Sequence, residues 1–140
     1  MFLNDGNGFP KSTEYSVGKT PDYVAVADLN RDGKLDMAVA NAGSGTICVL
    51  LNNTKGGFNK ATSYSAGTNP GAIAIEDFNG DGNADLAVAN AETGSISILL
   101  GTGGGKFGSA HGTPIGDPTE SSASSLAVAD STAMASWTWP

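Results

Sequence analysis

The sequence predicts an all-β protein assembled from repeated four-stranded antiparallel units. Three observations carry that reading. A block of 49 residues is written twice in a single register, so that Asp28 matches Asp77 and Phe58 matches Phe107. Each block consists of short alternating apolar runs separated by Gly, Asn, Asp, Ser and Thr, with no stripe of helical period. The composition, with 20 glycines, 39% hydrophobic and 15% charged residues, is too apolar for a disordered chain and too glycine-rich for a helical bundle.

The elements follow in order along each block. DYVAVADLNRDGKLDMAVANAGSGTICVLLNNTKGGF, Asp22 to Phe58, is answered by AIAIEDFNGDGNADLAVANAETGSISILLGTGGGKF, Ala72 to Phe107, with Asn41 matching Asn90 and Leu51 matching Leu100. VAVAD and AIAIED read as first strands, DMAVAN and DLAVAN as second strands, and TICVLLN and SISILLG as third strands. A more polar run, ATSYSAG from Ala61 to Gly67, supplies a fourth strand before Asn69-Pro70 opens the next unit. Ala25, Ala27 and Ala74 in the first strands let neighbouring sheets approach closely. Four short strands in a unit of this length fit the blade of a β-propeller. A plain β-sandwich also has many short strands, but it offers no reason for the fixed period.

The ends complement one another. LNDGNGF, Leu3 to Phe9, resembles Leu51 to Phe58, and the STEYSVGKTP after it resembles ATSYSAGTNP. SLAVAD, Ser125 to Asp130, resembles the first strands, and STAMASWTWP then departs from the pattern with Trp137 and Trp139. The organisation read from these matches is a repeat region over 1–130, in which 1–21 ends a partial blade, 22–70 and 71–118 are whole blades and 119–130 begins another. Residues 131–140 form a divergent C-terminal tail.

The most specific motif joins the first and second strands. DLNRDGKLD, Asp28 to Asp36, and DFNGDGNAD, Asp77 to Asp85, use six of the chain's 14 acidic residues. Side-chain oxygens stand at positions 1, 3, 5 and 9: Asp28, Asn30, Asp32 and Asp36, and again Asp77, Asn79, Asp81 and Asp85. The carbonyls of Lys34 and Asn83 at position 7 complete each set, and a glycine at position 6 permits the sharp turn. Calcium takes roughly 6–8 oxygens in irregular geometry, whereas zinc would want His or Cys and magnesium a stricter octahedron. An EF-hand would need glutamate at position 12, where Val39 and Val88 stand, and helical flanks. Asp, Asn and Gly also make good turns, but three carboxylates crowded twice into nine residues repel without a cation. Two calcium ions per chain, one per loop, are the expectation, and the fold should gain stability from them.

Charge and length bound the remaining classes. The net charge of −7 disfavours a nucleic-acid partner, and two bound divalent cations would bring it to about −3. No run approaches the roughly 18 apolar residues of a membrane span, and MFLNDGNGFPK lacks the pattern of a signal peptide. Cys48, the one cysteine, lies in an apolar strand and reads as an inert buried thiol. His111, the one histidine, lies in the loop-like SAHGTP without a nucleophile beside it. GTGGGK, Gly101 to Lys106, lacks the full phosphate-loop pattern and reads as a blade turn. No catalytic residue is expected. Tyr23 and Tyr64, the aromatic candidates for a carbohydrate face, sit in strand patterns and read as packed.

With these residues set out, VAVADLNRDGKLDMAVAN and IAIEDFNGDGNADLAVAN, followed by the GGF and GKF turns, resemble the FG-GAP or VCBS repeats found in the propeller of integrin α subunits and in many secreted bacterial proteins. The resemblance implies calcium-binding propeller blades, extracellular or at the cell surface, used for adhesion or for binding protein or carbohydrate. It places the ligand role on Asp28, Asn30, Asp32 and Asp36 and on Asp77, Asn79, Asp81 and Asp85. The alternative within the same resemblance is a structural scaffold, or part of a larger secreted protein, without a ligand of its own. A propeller usually closes with roughly 4–8 blades, and this chain encodes about three. Head-to-tail pairing of two copies into a six-bladed ring is the expected remedy.

Overall fold

The computed structural model describes residues 2–3 and 11–114, and those residues form strands and turns with no helix. Two short strands, β1 (Phe2–Leu3) and β2 (Lys11–Ser12), pair antiparallel at the start. The first full sheet runs β3 (Pro21–Ala27), β4 (Asp36–Asn41), β5 (Thr46–Leu50) and β6 (Thr62–Ser65), each strand beside the next. The second repeats it with β7 (Pro70–Glu76), β8 (Asp85–Asn90), β9 (Ser95–Leu99) and, after a small hairpin of β10 (Gly101–Gly103) and β11 (Lys106–Phe107), β12 (His111–Pro114). All pairings are antiparallel, as expected of propeller-like blades.

The register explains the core. Val24, Val39 and Cys48 align across the first sheet on one face, and Ala25, Ala38 and Val49 align on the other. Ala38, Ala40, Ile47 and Val49 of the second face merge with Ile73, Leu86, Val88 and Leu99 of the next sheet into one buried cluster. Ala25 and Ala27 pack against it, as the small residues of the first strand led us to expect. Branched side chains of one sheet therefore rest on the alanines of the other. Burying one such Ile or Leu contributes about 1.5–3 kcal/mol. The opposite face of the first sheet buries Val39, Cys48 and Leu50 beneath Tyr15 and Val17 from the preceding segment. Cys48 is buried and free, as its apolar run implied.

The same cross-sheet contact occurs twice. Tyr15 meets Phe58 edge-on with ring centroids 5.6 Å apart, and Tyr64 meets Phe107 at the same 5.6 Å. Each hydroxyl also accepts the backbone N–H of its phenylalanine, at 3.0 Å for Tyr15 and 3.4 Å for Tyr64. In each case a tyrosine from the segment before a first strand, Tyr15 ahead of β3 and Tyr64 in β6 ahead of β7, clamps the turn after the third strand that follows it.

Two sequence expectations need correction. His111 lies in a strand, not a loop: β12 pairs with β9, with His111 opposite Ile98. Its Gly and Pro disguise it, but an edge strand tolerates both because one side of its backbone needs no partner. Tyr23 is 42% exposed rather than packed, whereas Tyr64 is packed as expected. The first-strand sequence at 125–130, the tail with Trp137 and Trp139, and most of the N-terminal match at 3–9 lie outside the described residues.

Candidate metal centre

The loop from Asp28 to Asp36 joins β3 to β4 and curls around its own carboxylates. Asp28 accepts the N–H of Asp32 at 3.1 Å through Oδ1 and that of Gly33 at 2.7 Å through Oδ2. Asn30 Oδ1 also accepts Asp32 N–H, at 3.0 Å, and Asp32 Oδ1 accepts Lys34 N–H at 2.9 Å. Asn30 donates its amide to Asp32 Oδ2 at 3.1 Å. Gly33 takes a φ of 82°, the sharp turn expected at position 6. Asp36 is fully buried, and both its oxygens accept backbone amides: Leu29 N–H at 2.9 Å and Asn52 N–H at 2.8 Å.

The second loop, between β7 and β8, reproduces this arrangement bond for bond. Asp77 accepts Asp81 N–H at 3.2 Å and Gly82 N–H at 2.7 Å, and Asn79 Oδ1 accepts Asp81 N–H at 2.9 Å. Asn79 donates to Asp81 Oδ2 at 3.1 Å, and Asp81 Oδ1 accepts Asn83 N–H at 2.7 Å. Asp85, fully buried, accepts Phe78 N–H at 2.9 Å and Gly101 N–H at 2.7 Å. Asp77 additionally takes Gly80 N–H at 2.8 Å. The loops differ in sequence at positions 2, 4, 7 and 8, and position 4 is where the difference bears on the backbone. Gly80 holds a φ of 75° there, and Arg31 holds 62°, a left-handed conformation that a side chain resists.

Arg31 also reaches the other loop. A Cβ added at Gly82 would come within 2.6 Å of its guanidinium. The carboxyl of Asp81 is held below the usual carboxylate range, chiefly by the N–H of Asn83, then by the side chain of Asn79, with a smaller contribution from the Arg31 charge. The two loops are therefore neighbours across the sheet-to-sheet interface.

Positions 1, 3 and 5 of each loop come together, linked by direct hydrogen bonds, and position 9 is tied to them through the N–H of the residue after position 1. Among the described residues, no group of three or more His, Cys, Asp and Glu side chains is drawn into a metal-holding cluster, since the loop carboxylates face amides of their own chain. The donor set still fits a hard cation. Apart from Asp77 Oδ1, which accepts both Gly80 and Asp81 N–H, each of these oxygens accepts one hydrogen bond and has a second lone pair, and neither loop contains a nitrogen or sulfur ligand of the kind zinc prefers.

Sequence reasoning missed the second task of position 9. Asp36 and Asp85 reach the residues that follow the third strand, Asn52 and Gly101, and so tie each loop to its blade. It also missed the use of Asn41 and Asn90, although their match in the repeat was visible. Asn41 is buried, accepting Gly18 N–H at 3.1 Å and donating to the Thr46 carbonyl at 3.2 Å. Asn90 donates to Ser97 Oγ at 2.8 Å, and its buried Oδ1 has no hydrogen-bond partner.

Comparison with known families finds the FG-GAP-like repeat over residues 28–88 and again over 77–132. Both matches begin at the first aspartate of a loop. No curated protein and no solved structure gives a significant match. Among the described residues, no helix is long and apolar enough to cross a membrane. The paired loops, the repeated four-stranded sheets and the two overlapping matches agree, and the chain belongs to the FG-GAP-like repeat family.

Proposed function

We propose that this chain is a calcium-stabilised β-propeller module without enzymatic activity, working outside the cell or at its surface in adhesion or in binding protein or carbohydrate. The observation that carries the reading is the pair of loops with one shared set of oxygens: Asp28, Asn30, Asp32, the Lys34 carbonyl and Asp36, and Asp77, Asn79, Asp81, the Asn83 carbonyl and Asp85. A bound calcium ion supplies positive charge among three carboxylates that otherwise repel. The protein's own part is to hold those oxygens in place through the loop amides and to anchor position 9 in the blade. With both loops loaded, β3–β4 and β7–β8 resist separation, because the ligands converge only in the folded chain.

A polar ligand has a place to bind. An open cleft of about 690 Å³ between the two sheets is lined by Ser63, Ser65, Ser97 and Ser109 together with Tyr64 and Phe107. Hydroxyls beside aromatic edges, with no charged group among them, suit an uncharged polyhydroxylated ligand better than an anion. Two copies of the chain, joined head to tail, complete the ring at six blades.

Native mass spectrometry from a calcium-containing volatile buffer tests metal and assembly together. Two chains with four calcium ions are expected. One chain with two ions keeps the loops and rejects the ring, and a spectrum without calcium rejects the central reading. Reproducible binding on a glycan array supports the carbohydrate assignment, and silence across the array counts against it.

A further inference from the structure

The face of β3 that carries Val24 and Val26 is the strongest unexplained feature of the fold. These side chains are 52% and 58% exposed. Their counterparts in the next sheet, 49 residues on, are Ile73 and Ile75 of β7. Ile73 is only 4% exposed, and Ile75 packs against the same cluster, beside Ala25 and Ala27 of β3. The rule of the observed interface is therefore simple: the alanine side of one first strand receives the branched side of the next. On β3 itself the branched side has received nothing among the described residues.

The rest of that face is covered. Val39, Cys48 and Leu50, on strands β4 and β5, lie beneath Tyr15 and Val17. Tyr15 makes on Phe58 the contact that Tyr64 of β6 makes on Phe107, so it stands where the fourth strand of a preceding blade would run, and among the described residues nothing fills the place of that blade's first strand. The occupant of that place must be a strand with small residues at alternate positions. The chain writes that sequence pattern once more, at Leu126-Ala127-Val128-Ala129-Asp130, which repeats Val24 to Asp28 position by position.

We infer that this segment of one copy seats on β3 of another, with Ala127 and Ala129 against Val24 and Val26. The inference rests on the head-to-tail ring proposed above and names the contact that closes it. Direction decides between copies. The alanine side of β3 faces the following sheet, so a strand that continues the series past β7 turns its own alanine side away from the blades before it. That side is then free for the Val24–Val26 face of a second chain. The contact is heterologous, joining different surfaces of the two copies, and a ring forms because each copy presents both.

Light scattering on the full chain with calcium present decides it. The unaltered protein is expected at the mass of two 14.0 kDa chains. Val24→Asp with Val26→Asp should bring it to the mass of one chain at the same concentration, with an unchanged circular dichroism spectrum because both positions are exposed. Ala127→Phe with Ala129→Phe, which alters the other partner surface, should do the same. Exchanging the two sides, with V24A, V26A, A127V and A129V together, should restore the two-chain mass. A single-chain mass for the unaltered protein, as folding of 125–130 within its own chain would give, overturns the ring and this contact together. A two-chain mass that survives both the aspartate and the phenylalanine pairs overturns the contact and leaves the ring standing.

Discussion

Asp36 Oδ1 accepts the backbone N–H of Asn52 at 2.8 Å, sixteen residues further along the chain, while its Oδ2 holds Leu29 N–H at 2.9 Å. Asp85 does the same with Gly101 and Phe78. Position 9 of the loop is thus a fully buried strut as well as a candidate ligand. Asp36→Ala strands two amides, at about 1–3 kcal/mol each. It should lower stability even in the presence of a chelator. Asp32→Ala, at an exposed position, should lower it only when calcium is present. Chemical denaturation with and without EDTA separates the two behaviours.

Calcium should raise the melting temperature of the unaltered chain. At a free concentration 100 times the dissociation constant, one site adds about 2.7 kcal/mol. Asp32→Ala with Asp81→Ala should remove most of that gain, and titration calorimetry should then find no binding at the concentrations that saturate the original chain.

Arg31 occupies a left-handed position that Gly80 fills in the other loop. Arg31→Gly relieves a strain of roughly 1–2 kcal/mol against about 0.5–1 kcal/mol of added chain entropy. The chelated protein should therefore gain up to about 1.5 kcal/mol. Gly80→Arg should lose a similar amount. Urea denaturation of both variants reads the two signs.

The carboxyl of Asp81 should titrate below the ordinary aspartate range, held down first by Asn83 N–H, then by the Asn79 side chain and, last, by the charge of Arg31. A pKa lowered on folding contributes stability above the unfolded value, and that contribution disappears as pH falls through the folded value. The side chain is fully exposed, so the effect on stability is small. Asn79→Ala should move the titration upward when followed by carboxyl NMR on the metal-free protein.

The clamp between sheets predicts a graded pair. Tyr15→Phe loses the bond to Phe58 N–H, which lies 3.0 Å from the hydroxyl, and should cost about 1 kcal/mol. Tyr15→Ala also loses the edge-on ring contact with Phe58, which adds about 0.5–1.5 kcal/mol beyond its buried area. Thermal denaturation should rank them in that order.

Much of the architecture was determined by the sequence alone, because its causes are local. Alternation at every second residue sets strand faces, so DMAVAN and DLAVAN are legible as strands wherever they lie. The nine-residue loop spells out its oxygens and its turn glycine within its own span, and the repeat of 49 residues declares the unit. Facts that depend on a neighbour were decided only in three dimensions. Tyr64 is packed because Phe107 of the following sheet meets it, while Tyr23 is left exposed. His111 is in a strand because Ile98 offers it a partner, although its own Gly and Pro argue for a loop. Asp36 serves as a strut because the chain returns after β5 and brings Asn52 N–H to its buried oxygen. Val24 and Ile73 share one sequence pattern, yet one is bare and the other buried, because burial belongs to the contact between two sheets and not to either strand.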